Sequence, residues 1–168
     1  SPSKYSLDTI SSFALQYTNA YHFVKDEIPI AENGDEYFKF AIITATKLLK
    51  AVPIKEAIRS SYSHIIVDEY QDCDTLQHQL IVSLSEIIPT HLLGDPLQGI
   101  FGFKEGQLVD MMNDEEMQGF KNSIQELSTP WRWINANAQN LGDSLATIRE
   151  SLLKNIPINL MAYSSSIR

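Results

Sequence analysis

Two acidic residues at the end of an apolar run are the first feature of this sequence able to do chemistry. His64-Ile65-Ile66-Val67 is a short β-branched run that predicts a strand buried on both faces, and Val67-Asp68-Glu69-Tyr70-Gln71-Asp72 carries it straight into acid. A carboxylate in the place of Asp68 can hold Mg2+ through its water shell, because Mg2+ takes oxygen ligands and gives up water reluctantly. Glu69, pointing elsewhere from the same strand end, can orient and polarise a water for attack on a terminal phosphate. A bare Asp-Glu pair is more often a pair of solvated charges, so its surroundings decide.

Those surroundings are alternating strands and helices. A second apolar run, Thr90-His91-Leu92-Leu93, leads into Gly94-Asp95-Pro96 with Gln98 just beyond, and a third candidate strand, Ser123 to Leu127, leads into Ser128-Thr129-Pro130 and then Arg132. Between the first two runs, residues 74 to 88 return to helical spacing through Leu76, Leu80, Leu84 and Ile87, and Pro89 closes the element. A helix is expected from about Trp133 to Asn155, and Ile158 to Tyr163 reads as the start of a further strand. Before the first run, the spacing predicts packing helices over Leu7 to Tyr21, Asp35 to Ala51 and Ile54 to Arg59. Strand-helix alternation argues for an α/β fold with a parallel sheet, whose ligands bind at the carboxyl ends of the strands. Asp68-Glu69, Gly94-Asp95 with Gln98, and Thr129 with Arg132 would then gather on one edge.

An apolar strand ending in Asp-Glu has the layout of a Walker B site, and at this point the sequence resembles the UvrD/Rep-like superfamily 1 DNA helicases. Their second motif has the form V-D-E-F/Y-Q-D, matched by Val67-Asp68-Glu69-Tyr70-Gln71-Asp72; their third, G-D-x-x-Q-S-I-Y-x-W/F-R-G, is matched from Gly94 to Gly106. A fourth motif, with Arg after an aromatic residue at a strand end, looks like Leu127 to Trp133. The resemblance covers roughly residues 35–155. It implies a partial RecA-like, three-layer P-loop NTPase fold, with ATP and Mg2+ as ligands and single-stranded DNA and the remaining helicase domains as partners. Carried over by position, it makes Asp68 the Mg2+-associated carboxylate, Glu69 the catalytic base, Gln98 a γ-phosphate sensor and Arg132 a γ-phosphate contact. Gln71, Asp72 and Asp95 fall at nucleotide-site positions, Gln71 and Asp72 linking the metal site to the neighbouring loop. Phe101 and Phe103 match aromatics that stack on DNA bases, with Lys104 in place of the usual Arg.

The departures are also informative. Gly99 stands where Ser is usual, Glu105-Gly106 replaces Gly-Ala, and Pro130 and Trp133 replace the frequent Asn and Ser, which places the chain in a divergent branch. No G-x-x-x-x-G-K-S/T occurs anywhere, although that loop is the main phosphate cradle of the class. The chain therefore reads as an internal piece of a longer helicase. Its expected organisation is a helical segment over 1–60, a motor-domain segment over 61–157 and the start of a following domain over 158–168.

Composition sets the outer limits. The 168 residues, 43 % hydrophobic and 20 % charged, suit a soluble globular unit and disfavour disorder. Thirteen Lys and Arg against 21 Asp and Glu give a net charge of -8, the wrong sign for a self-sufficient nucleic-acid binder. Cys73 is the single cysteine, which excludes an intramolecular disulfide and fits a reducing, cytoplasmic setting. His22, His64, His78 and His91 lack metal-ligand spacing, and Trp131 and Trp133 read mainly as packing residues. Two rival functions compete with the motor. One is a Mg2+-dependent nuclease on Asp68, Glu69, Asp72 and Asp74, which leaves Gln98 and Phe101-Gly102-Phe103 unexplained; the other is an interaction module without catalysis.

Overall fold

The computed structural model of the chain describes residues 5–21, 34–99, 108–117, 119–120 and 124–166. They fall into two compact units, residues 1–122 and 123–168.

The first unit opens with helices α1 (Ile10–Tyr21), α2 (Gly34–Leu48) and α3 (Val52–Ser61). Small side chains bring α1 and α2 together: Ala14, Ala41 and Ala45 are buried, and the Thr18 hydroxyl donates to the Ala41 carbonyl at 3.1 Å. Pro53 sits in the first turn of α3, where a missing N–H leaves no helical bond unmade. Strand β1 (Ile65–Val67), helix α4 (Thr75–Ser85) and strand β2 (Thr90–Leu92) follow as a β-α-β unit. The strands pair in parallel, Ile65 with Thr90, Ile66 with His91 and Val67 with Leu92. Asp74 caps α4 in a reciprocal box, accepting from the Gln77 N–H at 2.8 Å while the Gln77 side chain accepts from the Asp74 N–H at 3.0 Å.

One core joins all of this. Ile58, Tyr70, Leu80 and Leu84 are fully buried, and the same cluster includes Ala14 and Ala41, so the first sixty residues share a core with the strand segment. The result is a helix-rich, partial α/β domain with a small parallel sheet. One expectation fails at β1: Val67 is buried but Ile66 is 68 % exposed, so the strand is covered on one face only. Alternation along a strand sends Ile66 and His91 to the opposite face from Val67, and that face is open to solvent.

The second unit departs further from expectation. Residues 124–130 form no strand; Ile124 and Leu127 are exposed, since an apolar run without a ladder partner has nothing to hold it extended. The long helix is broken into α5 (Trp131–Asn135) and α6 (Gln139–Leu153) by Asn137 at φ 53°, a left-handed conformation that Asn tolerates better than most residues. Trp133 packs on Gly142 of α6, where an added Cβ would lie 2.9 Å from its side chain. Leu160–Tyr163 form a 3-10 turn, not the start of a strand; Asn159 caps it by accepting from the Met161 N–H at 3.1 Å.

Candidate active site at the carboxyl edge of the sheet

Because Val67 pairs with Leu92 in parallel, Asp68-Glu69 and Leu93-Gly94-Asp95 leave the sheet side by side. The ladder runs on past both strands: the Leu93 N–H donates to the Val67 carbonyl at 2.8 Å and the Tyr70 N–H to the Leu93 carbonyl at 2.9 Å. Between those bonds the chain turns sharply at Glu69, held at φ 51°, ψ 43°. A non-glycine residue there costs roughly 1 to 2 kcal/mol, strain of the kind found where a side chain must be aimed. The Asp68 carboxylate supports the turn, accepting from the Glu69 N–H at 3.0 Å. Both acids are exposed.

Behind them, the 3-10 turn Tyr70–Asp72 points inward. Tyr70 is wholly buried, its hydroxyl bonded to His78 Nδ1 on α4, and burial pushes that hydroxyl well above the usual tyrosine range. Gln71, 4 % exposed, spans the two strand ends: its Nε2 donates to Glu69 Oε2 at 2.6 Å and its Oε1 accepts from the Asp95 N–H at 2.9 Å. Asp95 continues the line. One carboxylate oxygen accepts from the Leu97 N–H at 3.0 Å, capping the 3-10 turn Pro96–Gln98, and the other accepts from Gln98 Nε2 at 3.0 Å. Glu69, Gln71, Asp95 and Gln98 thus form one hydrogen-bonded relay across both strand ends.

Packing fixes the relay from below. A Cβ on Gly94 would lie 2.8 Å from Gln71 Oε1 and 3.0 Å from Met111 Sδ, so only a bare backbone lets Gln71 reach Asp95. The stretch after residue 107 returns to the same turn: Asp74 and Leu108 form an antiparallel bridge, and the Val109 N–H donates to the Cys73 carbonyl at 3.0 Å. Cys73 is buried there, and burial with Asp74 and Asp72 nearby pushes its thiol up to about 12. Asp72 Oδ1 is buried with no hydrogen-bond partner among the described residues. Arg132 lies exposed on α5 in the second unit, while Phe101, Phe103 and Lys104 fall outside the described residues.

Known proteins bring a family to this geometry. Residues 7–118, two thirds of the chain, match the UvrD/REP helicase N-terminal domain. The chain belongs to the UvrD/REP helicase family. It is 29 % identical over 99 residues to an ATP-dependent helicase/nuclease subunit of Streptococcus equi subsp. zooepidemicus, covering 59 % of this chain and 8 % of that protein. The protein of the same name from Oenococcus oeni is 30 % identical over 90 residues, covering 52 % of this chain and 8 % of the relative. The match therefore spans a small part of each relative's length. No solved structure matches the chain.

Within this UvrD/REP domain the donor set suits one kind of metal site. No group of three or more His, Cys, Asp or Glu able to hold an ion occurs among the described residues. Of the four acids a nuclease would use, Asp68, Glu69, Asp72 and Asp74, the Asp74 carboxylate is engaged in the α4 cap. Two exposed carboxylates at a strand end do suit Mg2+, which is commonly held by one or two carboxylates together with substrate phosphates. His78 on Tyr70 and the return of Leu108 and Met111 to the site escaped the sequence reading. For His78 the one signal was a motif tyrosine that, once buried, needs a partner for its hydroxyl.

Proposed function

We propose that this chain is the Walker B and motif III part of a RecA-like, P-loop type motor, which couples ATP hydrolysis to movement on single-stranded DNA. The relay from Glu69 through Gln71 and Asp95 to Gln98 carries the reading, because it connects a carboxylate suited to activating water with a glutamine suited to sensing the γ-phosphate. Asp68 would hold Mg2+ through water, and the ion when bound supplies charge neutralisation on the phosphates. Glu69 accepts the proton of the attacking water. Gln98 reports the presence of the γ-phosphate along the relay, and Arg132 takes the γ-phosphate role that the resemblance gives it. Phe101 and Phe103 stack on DNA bases, and Lys104 meets the backbone. The relatives' name, a helicase/nuclease subunit, supports a partner chain for the intact protein.

The reading is tested by DNA-stimulated ATP hydrolysis in the intact protein. Phe103→Ala should leave basal hydrolysis in place and lower both DNA stimulation and unwinding. Gln98→Ala should weaken the link between nucleotide state and DNA grip. Unwinding at the wild-type rate by Phe103→Ala counts against the motor assignment.

A further inference from the structure

Gln71 sits at a position the resemblance gives to the nucleotide site as a link to the neighbouring loop, and its surroundings leave neither end of its amide free for the nucleotide. Its side chain is 4 % exposed, and both ends of its amide are committed to protein, one to the Glu69 carboxylate at 2.6 Å and the other to the Asp95 N–H at 2.9 Å. A nucleotide contact would have to break one of these bonds and leave a buried polar group unpaired. The two partners are also the two things a hydrolysis site must keep in register. Glu69 stands on a strained left-handed turn with an exposed carboxylate that Gln71 holds in one orientation, and Asp95 opens the loop that carries Gln98. A Cβ on Gly94 would lie 2.8 Å from Gln71 Oε1, so the bare Gly94 backbone lies close to that end of the amide.

We infer that Gln71 is a positioning residue that aims the Glu69 carboxylate and ties that aim to the Asp95–Gln98 loop, without touching the nucleotide. This rests on the proposed role of Glu69 as the base. Movement of the Gln98 loop pulls on the Asp95 N–H, and the rigid amide passes the pull to Glu69. The base is then correctly aimed only when the loop is in its nucleotide-loaded place.

The chemistry of Gln71 separates its two bonds. In the intact protein, Gln71→Glu keeps an acceptor for the Asp95 N–H and loses the donor to Glu69. Gln71→Met fills similar space and loses both. Misplacing a reacting group by about an ångström can cost about 100-fold, so Gln71→Glu should lower kcat by about 10- to 100-fold with the ATP KM little changed. Gln71→Met should lower kcat at least as far. Protection of the Cys73 thiol from a disulfide reagent reports that each variant still folds. Adding Gln71→Glu to Glu69→Gln should cause no further loss in single-turnover hydrolysis, as expected when one residue acts only through the other. A raised KM at unchanged kcat, wild-type kinetics in a folded Gln71→Glu variant, or fully additive losses would overturn the inference while leaving the base intact. Wild-type turnover by Glu69→Gln alone would instead remove the reading on which it rests.

Discussion

At the scale of single residues, Gly94 and Cys73 are the most exacting positions in the first unit. Gly94→Ala would push a methyl group to 2.8 Å from Gln71 Oε1 and 3.0 Å from Met111 Sδ. Met111 can swing away, but the Gln71 amide is held at both ends, so the substitution should cost about 1 to 3 kcal/mol, read by chemical denaturation. Cys73 gives a pH prediction. Its thiol rises from an ordinary 9.0 to about 12 through burial, so it stays protonated in the fold at pH values where the unfolded chain ionises. Stability from this group is complete below pH 9 and is lost as the pH climbs from 9 to 12; Tyr17, raised from 10.0 to about 12 by burial and neighbouring tyrosines, adds to the same loss. Denaturation at about pH 8, 10 and 11 should show the fall, and Cys73→Ala should make it shallower, leaving the part due to the buried tyrosines. The place of Asp68 and Glu69 at a strand end was legible because the acids adjoin an apolar run. The hydrogen bonds by which Gln71 joins the two strand ends were not, because one partner lies 24 residues away.

At the scale of elements, the β-α-β unit was read closely because each part carries a local signal. The α4 start is an example: Asp74 followed three residues later by Gln77 is a capping box in sequence and in structure. Asp74→Ala should therefore cost about 1 kcal/mol, within a range of about 0.5 to 2, seen as a lower melting temperature. Elsewhere local signals misled. Ser123 to Leu127 has the composition of a strand, but strands exist by pairing, and residues 124–127 have no ladder partner among the described residues. The apolar spacing from Trp133 to Asn155 suits one helix, yet the chain turns at Asn137 and Trp133 folds back on Gly142. Asn137→Gly should be tolerated, whereas a β-branched Asn137→Val should destabilise the second unit by about 1 kcal/mol or more, since φ 53° suits glycine and not valine. Circular dichroism melts of the two variants make the comparison.

At the scale of the whole molecule, charge and the lack of a phosphate loop dominate. A net charge of -8 repels a phosphate backbone, and the sequence holds no G-x-x-x-x-G-K-S/T to place a triphosphate in line with Glu69. The 168-residue chain alone should therefore bind single-stranded DNA weakly in fluorescence anisotropy at physiological salt. It should release phosphate from ATP no faster than its own Glu69→Gln variant. The motor reading stands or falls with Glu69 as the base of a DNA-stimulated ATPase in the intact protein. Glu69→Gln keeps the shape and can still bond through its amide, but it cannot take a proton. DNA-stimulated ATP hydrolysis, measured beside ATP binding in that variant, puts this role to the test. ATP should still bind while turnover falls about 100- to 10,000-fold; turnover near the wild-type rate would contradict the assignment.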